Sequence, residues 1–367
     1  LAKGKNKVVI IASDHTRPVP SKVIMPAMLE EIRRGNPDAD ITILIATGCH
    51  RGTTKDELIN KFGEDIVENE KIYVHDCLHN DMLVNIGTLP SGGKCEINRL
   101  AYEADLLVSE GFIEPHFFAG FSGGRKSVLP GVAGRTTVLA NHCSAFIASP
   151  YSRAGVLDNN PIHRDMVWAA RQAKLTFIVN VVLNAEKEVI FATAGELEAA
   201  HKKGTDFLSG LCAVKAKECD IAITTNGGYP LDQNIYQAVK GMTAAEATVK
   251  QGGVIIMLAA SVDGTGGEDL YHHLADEPDI TKTMEIFMKR DGEHTDPDQW
   301  ESQILLRILM HARVIYVSEL DDKLITDMHM IPAHSIDEAL EKAKEILGKS
   351  DPKIVAIPDG IAVMVRK

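Results

Sequence analysis

The chain of 367 residues is 45% hydrophobic and 25% charged, and its formal net charge at pH 7 is −12. These values are typical of a globular protein with more than one domain. The acidic balance argues against nucleic acid as a partner, because no basic excess is available to displace the counterions of phosphates.

Membrane segments and disulfides are not indicated by the sequence. No apolar run approaches the ~18 residues that cross a bilayer and no signal peptide is visible, so we predict no membrane partner. The six cysteines include no C-x-x-C pair, which predicts reduced thiols and a cytoplasmic location.

The first half of the chain alternates predicted strands and helices. Short apolar runs rich in β-branched residues predict strands at 7–14, 41–48, 72–76 and 105–111. A helix is predicted over 21–35, and the spacing of Thr54 and Glu57 predicts a capping box at the start of another. An antiparallel hairpin is predicted over 176–195.

A second series of the same kind begins near residue 220. Buried-type strands are predicted at 220–225, 253–260 and 313–320, and helices at 298–312 and 335–348. The last apolar run, 353–360, is predicted to return to the first domain. We therefore predict two open α/β, Rossmann-like domains with the active site in the crevice between them. The predicted domains are residues 1–213 together with about 348–367, and residues 214–347.

Polar side chains follow several of these strands, at the sheet edge where open α/β proteins bind ligands. Asp14, Thr16 and Arg17 follow the first strand, His50 follows the second, and the segment 226–240 follows the first strand of the second series. The topology predicts that these three clusters converge.

Cationic side chains in these clusters are candidates to bind an anion. Arg17 can grip a carboxylate or phosphate through two parallel hydrogen bonds, whereas the alternative is an Asp14–Arg17 ion pair that holds a turn. Gln237 and Lys240 share one face of a predicted helix. A lysine near a helix start opposes the helix dipole, which favours a ligand-facing role over the alternative, a solvated face.

The segment 115–142 combines His116, Lys126 and His142 with a glycine-rich loop. Lys126 supplies an amine for covalent attachment, and the imidazoles suit metal binding or proton transfer. Glycines lack a Cβ atom, so the loop is predicted to approach a ligand closely at Gly120, Gly123 and Gly124.

Other interpretations of these residues are open. GFSGGRKS nearly fits the phosphate loop G-x-x-x-x-G-K-[ST], but Arg125 occupies the place of the last glycine and no buried strand immediately precedes it. A zinc triad of His50, His116 and His142 is a second interpretation, although zinc sites usually include a closely spaced pair such as H-x-x-x-H. A metal held by one protein ligand and completed by a cofactor is a third.

Several motifs occur in a fixed order along the chain: DHTRP, ATGCHRG, EPHFFAGFSGGRKSVLPG, ANH and NGGYPLDQNIYQAVK. Together they resemble the nickel-dependent lactate racemase family, over roughly residue 7 to the C-terminus. Members of that family usually carry an additional N-terminal segment. Because the chain begins at Leu1, we expect that such a segment is missing from it.

The resemblance implies a nickel cofactor, a pincer derived from pyridinium-3,5-bisthiocarboxylic acid mononucleotide. Lys126 would hold it covalently through a thioamide bond, and Asp14 and Thr16 would contribute to cofactor binding. His142 would be the protein ligand of nickel, and soft sulfur donors with imidazole suit Ni(II). Proteins that synthesise the cofactor are implied as partners.

The implied reaction is racemisation or epimerisation of a 2-hydroxy acid, of the lactate racemase type, through a 2-oxo acid. One of His50 and His116 would take the hydroxyl proton while hydride passes from Cα to the cofactor, and the other would serve the opposite enantiomer. The residues implied in substrate binding are Arg17, Tyr236, Gln237 and Lys240. Alternatives are a racemase of another 2-hydroxy acid and a non-catalytic nickel- or nucleotide-binding protein.

Overall fold

The computed structural model describes residues 1–366 apart from the side chain of Glu293. Its strands are β1 (Lys7–Ser13), β2 (Asp40–Ala46), β3 (Lys71–Val74), β4 (Leu83–Thr88), β5 (Lys94–Asn98), β6 (Leu106–Phe112), β7 (Pro115–His116), β8 (Gly120–Phe121), β9 (Leu175–Leu183), β10 (Val189–Gly195), β11 (Ala213–Lys215), β12 (Cys219–Thr225), β13 (Val249–Leu258), β14 (Arg313–Val317), β15 (Ile331–Ala333), β16 (Ile354–Ile357) and β17 (Met364–Arg366).

The α-helices are α1 (Ser21–Gly35), α2 (Lys55–Phe62), α3 (Glu64–Asn69), α4 (Arg99–Tyr102), α5 (Arg135–Asn141), α6 (Ser144–Ala148), α7 (Pro161–Gln172), α8 (Leu197–Cys212), α9 (Ile235–Glu246), α10 (Glu268–Ala275), α11 (Ile280–Lys289), α12 (Gln299–His311), α13 (Asp322–Asp327) and α14 (Ile336–Leu347). Short 3₁₀ helices lie at Asn80–Met82, Gly124–Ser127 and Gly292–His294. Within residues 1–366, none of the helices combines the length and the apolar character that a membrane span needs.

The chain folds into two compact units. The first contains Leu1–Glu114, Ala119–Asn141 and Val156–Gly210, and the second contains Pro115–Phe118, His142–Gly155 and Leu211–Lys367. Each unit has its own open sheet flanked by helices, which confirms the predicted α/β class.

The sheet of the first unit has six strands in the order β10-β9-β6-β1-β2-β3. All pairs are parallel except β9 with β10, which form the predicted antiparallel hairpin. The central strands are buried along almost their whole length, as expected for a parallel sheet covered by helices on its faces. The helix predicted over 21–35 is confirmed as α1, which buries Ile24, Met25, Met28 and Leu29 in the core of this unit.

The sheet of the second unit has five parallel strands in the order β15-β14-β13-β12-β16. Its last strand, β16, is formed by the C-terminal run 353–360, which was predicted to return to the first domain. The structure corrects that placement. Ile354–Ile357 pairs with β12 in this sheet, and Met364–Arg366 pairs with Ala213–Lys215 in a small parallel ribbon. The open edge of β12 supplies the backbone donors and acceptors that a late parallel strand needs.

Side-chain caps define the starts of the helices near the predicted clusters. Thr54 accepts a hydrogen bond from the Glu57 amide and Glu57 bonds back to the Thr54 amide, so the predicted capping box is confirmed. Asn234 caps α9 by a single hydrogen bond, in which its side-chain oxygen accepts from the Gln237 amide at 2.9 Å. These caps determine where the polar residues of each first helical turn lie.

Candidate active site

In the first unit, the loops after β1 and β2 bring Asp14 and His50 together. Asp14 is buried and His50 is exposed, and the Asp14 Oδ2 atom lies 2.7 Å from the His50 Nδ1 atom. A carboxylate only accepts hydrogen bonds, so Nδ1 is the donor when Asp14 is ionised. This bond directs the other ring nitrogen, Nε2, away from Asp14, as in many catalytic histidines.

The environment of Asp14 favours its ionised form. Burial by itself raises the pKa of this carboxyl, but the hydrogen bond and charge of His50, the Thr16 hydroxyl and the charge of Arg17 outweigh that effect. The pKa of Asp14 is lowered to about 2. Asp14 is therefore a permanent anion at neutral pH and holds the His50 ring in one tautomer.

Thr16 and Arg17 lie on the same loop, and their hydrogen bonds differ from the Asp14–Arg17 ion pair that was the alternative interpretation of Arg17. The Thr16 hydroxyl donates to Asp14 Oδ1 at 2.6 Å, and Arg17 Nη1 donates to that hydroxyl oxygen at 3.0 Å. Asp14 thus pairs directly with His50, whereas the exposed Arg17 guanidinium is hydrogen-bonded to the Thr16 hydroxyl and acts on Asp14 through its charge. The remaining donors of Arg17 leave it suited to a carboxylate ligand.

Lys61 is hydrogen-bonded to the main chain of this loop, a contact that was not predicted from the sequence. Its Nζ atom donates to the Arg17 carbonyl oxygen at 3.2 Å, and burial lowers the pKa of its amine. The charges of Glu110 and Asp14 act in the opposite direction. A lysine on a helix beginning with a capping box gave no sequence signal for this contact.

The Lys126 loop also belongs to the first unit and is bonded to the loop that carries His50. The Gly48 amide donates to the Gly131 carbonyl at 2.9 Å. Lys126 is half-buried within the 3₁₀ helix Gly124–Ser127, and its carbonyl accepts from the Gly131 amide at 3.1 Å. The main chain around Lys126 is therefore held in place.

Arg125, next to Lys126, is a structural residue. It is 1% exposed, and its guanidinium donates to the carbonyls of Ala119 at 2.6 Å and Phe121 at 2.7 Å, as well as to His163 Nδ1 at 3.0 Å. Burial lowers the pKa of Arg125 to about 9. Its side chain stabilises the glycine-rich loop from inside the unit.

The glycines of this loop are required by close packing within the protein, a reason that the expectation of close ligand approach did not include. A Cβ atom on Gly120 would lie 2.4 Å from the Val156 carbonyl oxygen, and one on Gly124 would lie 2.8 Å from His201. Both residues also have positive φ angles, of 81° and 53°. Glycine is required here by packing within the first unit.

The phosphate-loop interpretation of GFSGGRKS does not fit this geometry. A Walker loop joins a buried strand to an α-helix whose first turn receives the phosphate. Here the run forms the 3₁₀ helix Gly124–Ser127, and the next α-helix begins only at Arg135. Arg125, at the place of the last glycine, is used to bind carbonyl oxygens instead.

In the second unit, His116 and His142 belong to one aromatic cluster. The Phe118 ring lies edge-on to both histidines, with centroid distances of 4.6 Å to His116 and 5.1 Å to His142. Trp300 also lies edge-on to His142, with a centroid distance of 5.1 Å. His142 is 5% exposed and directly follows α5. The cluster restricts the orientation of both imidazoles.

The first turns of α9 carry the predicted substrate-binding residues of the second unit. Tyr236, Gln237 and Lys240 are half-buried, and Lys240 Nζ donates to the Gln237 side-chain oxygen. Lys240 Nζ also lies 5.8 Å from the centroid of the Phe117 ring. The Tyr236 hydroxyl accepts a hydrogen bond of 3.0 Å from the Trp300 indole nitrogen. These contacts join α9 to the histidine cluster, so the face is not simply solvated.

Trp300 and Glu301 are further residues that the sequence analysis missed. Glu301 is fully buried on α12, and neither of its carboxyl oxygens has a hydrogen-bond partner. Burial raises the pKa of Glu301 to about 8, and the charge of Lys240 acts against that rise. The only sequence signal was the rarity of tryptophan, which occurs twice in the chain.

The site residues do not form a metal centre by themselves. Across the described residues, no group of three or more His, Cys, Asp or Glu side chains is arranged to hold a metal ion. The zinc-triad interpretation therefore lacks a ligand set. A metal bound by the buried His142 imidazole would need its other ligands from a cofactor, and the donors present here fit that arrangement.

Comparison with known proteins identifies the family. Models of the lactate racemase N-terminal and C-terminal domains match residues 1–155 and 214–365. Lactate racemase of Lactiplantibacillus plantarum is 58% identical over 367 residues, which cover 100% of this chain and 86% of that protein. Lactate racemase of Thermoanaerobacterium thermosaccharolyticum is 56% identical over 368 residues, with the same coverage.

The structure of the lactate racemase apoprotein from Thermoanaerobacterium thermosaccharolyticum matches the fold with a TM-score of 0.98, and the match covers 100% of this chain and 88% of that chain. The protein is thus an isomerase of the racemase class. It belongs to the lactate racemase family, as the motifs from Asp14 to Lys240 predicted.

Proposed function

We propose that the chain interconverts the enantiomers of a 2-hydroxy acid and that lactate is its substrate. The observation that carries this proposal is the identity of 58% and 56% to two lactate racemases over the whole chain. The side chains described above supply the acid–base, anion-binding and metal-binding groups that such a reaction needs.

His50 and His116 are the proposed acid–base pair. Asp14 accepts from His50 Nδ1, so His50 Nε2 is the atom that exchanges a proton with the substrate hydroxyl. His116 is half-buried, and its ring is stacked on Phe117 at 5.1 Å and packed edge-on against Phe118. One histidine for each enantiomer is required, because the hydroxyl group is presented from opposite sides in the two directions.

The substrate carboxylate is proposed to bind Arg17, Gln237 and Lys240. Arg17 offers a planar pair of donors, and Lys240 adds a positive charge whose position is set by Gln237. Tyr236, whose hydroxyl is hydrogen-bonded to Trp300, would line the pocket that holds this substrate.

A nickel-pincer nucleotide is the proposed cofactor, with Lys126 as its covalent attachment point and His142 as the protein ligand of nickel. Thr16 would contact its nucleotide phosphate, and Asp14 would contribute to cofactor binding by steadying the site through hydrogen bonds. When bound, this group would supply a reversible acceptor for the hydrogen on Cα, so that the substrate passes through a 2-oxo acid. The protein contributes a fixed turn at Lys126 and a buried, oriented imidazole at His142. Soft sulfur donors with imidazole suit Ni(II).

The test is a racemisation assay on chain loaded with nickel-pincer cofactor. D-lactate and L-lactate are supplied separately, and formation of the opposite enantiomer is followed with enantiomer-specific detection. Other single-enantiomer 2-hydroxy acids serve as comparison substrates. We expect interconversion of lactate in both directions; faster turnover of another acid would reassign the substrate.

The variants His50→Ala and His116→Ala distinguish an enzyme from the alternative, a non-catalytic nickel- or nucleotide-binding protein. Each variant should keep nickel and cofactor while racemisation falls by about 10²-fold or more, the usual contribution of a general acid or base. Loaded native chain that racemises none of the acids would refute the enzymatic proposal.

A further inference from the structure

Cys49 and Cys77 lie side by side at the ends of two neighbouring parallel strands. β2 and β3 pair in a register that places Ile45 beside Val74. The segments that follow these strands also stay hydrogen-bonded to each other. The His75 amide donates to the Ile45 carbonyl at 3.1 Å, and the Thr47 hydroxyl donates to the His75 carbonyl at 2.7 Å. The thiols of Cys49 and Cys77 come within hydrogen-bonding contact as a result.

The two thiols differ in accessibility in a way that suits stepwise reaction. Cys49 is exposed, Cys77 is buried, and neither takes part in a disulfide. Solvent reagents therefore reach Cys49 before Cys77, and the thiol that contacts Cys77 is that of Cys49. Cys49 also directly precedes His50, the proposed acid–base residue.

The chemistry of Cys77 differs from that of other cysteines in the chain. The hydrogen bond from Cys49 lowers the pKa of the Cys77 thiol to about 7, burial and Asp76 act against that effect, and the charge of Arg135 assists it. In contrast, burial raises the pKa of Cys95 to about 12 and also raises that of Cys219. A thiolate at neutral pH is the reactive form in disulfide exchange.

We propose that Cys49 and Cys77 form a thiol–disulfide exchange site that takes a low-molecular-weight disulfide as its co-substrate. The exposed Cys49 thiol loses its proton and attacks one sulfur of the small disulfide, which forms a mixed disulfide and releases one small thiol. The Cys77 thiol then loses its proton and attacks the Cys49 sulfur, and the second small thiol leaves with that proton. The protein is oxidised by two electrons to a Cys49–Cys77 disulfide, and the small disulfide is reduced to two thiols.

Closing this bond changes the position of His50. Bonded sulfurs are about 2 Å apart, much closer than thiols in hydrogen-bonding contact, so the Cys49 end of the 47–50 loop moves towards Cys77. The Asp14–His50 bond of 2.7 Å tolerates little displacement. A misplacement of about 1 Å in a reacting group can cost an enzyme about 10²-fold in rate, and we expect a loss of this kind here. The oxidised protein is therefore a reversibly inhibited racemase, a consequence that rests on the proposed function.

The experiment treats reduced, cofactor-loaded chain with oxidised glutathione near neutral pH and follows two readouts. Peptide mapping without reductant should show Cys49 joined to Cys77, with a mass lower by about 2 Da than the two reduced peptides. Lactate racemisation should fall at least about tenfold in step with that bond, and reduced glutathione should restore it.

Variants separate the steps. Cys77→Ser should stop at a glutathione adduct on Cys49, and Cys49→Ser should form no bond to Cys77. The double variant Cys49→Ser/Cys77→Ser should keep its activity in oxidised glutathione. Cys212→Ser is the matched control, because Cys212 is partly exposed and burial raises the pKa of its thiol. This control should behave like the native chain.

Two results would overturn the proposal. The first is treated native chain in which Cys49 and Cys77 remain unlinked. The second is a double variant that loses activity as fast as the native chain, which would place the sensitivity elsewhere. If the reduced native chain does not racemise lactate at all, the proposed function fails, but the peptide map still decides whether the exchange site exists.

Discussion

Replacing Asp14 by asparagine removes one negative charge at the atom that holds His50 and leaves the side-chain volume nearly unchanged. In the native protein Asp14 Oδ2 accepts from His50 Nδ1, and Oδ1 accepts from the Thr16 hydroxyl. An amide presents one acceptor and one donor group, so it accommodates either tautomer of the imidazole. The His50 ring then loses its preference for a basic Nε2 atom.

The structure gives the size of the effect on stability. The pKa of Asp14 falls from 3.8 to about 2, which corresponds to about 2 kcal/mol at about 1.4 kcal/mol for each pKa unit. Solvent screens part of this interaction, because His50 is 45% exposed. We expect Asp14→Asn to lower the free energy of unfolding by about 1 kcal/mol and turnover by about 10²- to 10⁴-fold.

The pH dependence has a defined sign. The folded-state pKa of Asp14 lies below its ordinary value, so its stabilising contribution is complete above about pH 4 and is lost as the pH falls through about 2. The stability difference between native chain and Asp14→Asn should therefore shrink on acidification.

Urea unfolding at a series of pH values and steady-state racemisation by loaded enzyme measure the two effects of Asp14→Asn. Asp38→Asn, an equal charge change at an exposed loop position, is the control and should alter neither. Turnover within twofold of native, or a stability difference that widens towards low pH, would refute the assigned role of Asp14.

Further variants test the other residues. Arg17→Lys should raise KM and lower turnover although the charge is kept, because lysine lacks the planar pair of donors; unchanged kinetics would limit Arg17 to a structural role. Lys126→Ala should abolish the cofactor adduct on the peptide that contains this lysine, whereas His142→Ala should keep the adduct and lose nickel. Mass spectrometry measures the adduct and metal analysis measures nickel in each variant. An adduct that persists in Lys126→Ala would contradict the covalent attachment at this lysine. Arg125→Met should lower the free energy of unfolding by about 3 kcal/mol or more, because buried carbonyls lose their donor; urea unfolding within about 1 kcal/mol of native would contradict its structural role.

Local patterns in the sequence were sufficient to predict many of the strands and helices of this protein and the family to which it belongs. Apolar runs predicted β1, β2 and β12, the capping box predicted the start of α2, and the hairpin β9–β10 was predicted over 176–195. The motifs around Asp14, His50, Lys126 and Lys240 were sufficient to predict the family, because each is a short continuous segment. These features depend on neighbours within a few residues, which a single sequence displays.

Tertiary structure alone decided which distant residues meet. The pairing of β16 with β12, the Asp14–His50 bond and the contact of Cys49 with Cys77 each join segments separated by 28 or more positions. Arg125 and Glu301 look like ordinary surface charges in the sequence, but one is surrounded by carbonyl oxygens and the other is buried near Lys240. Burial and the charges that face a group set its pKa, and both arise only when separate strands and helices pack together.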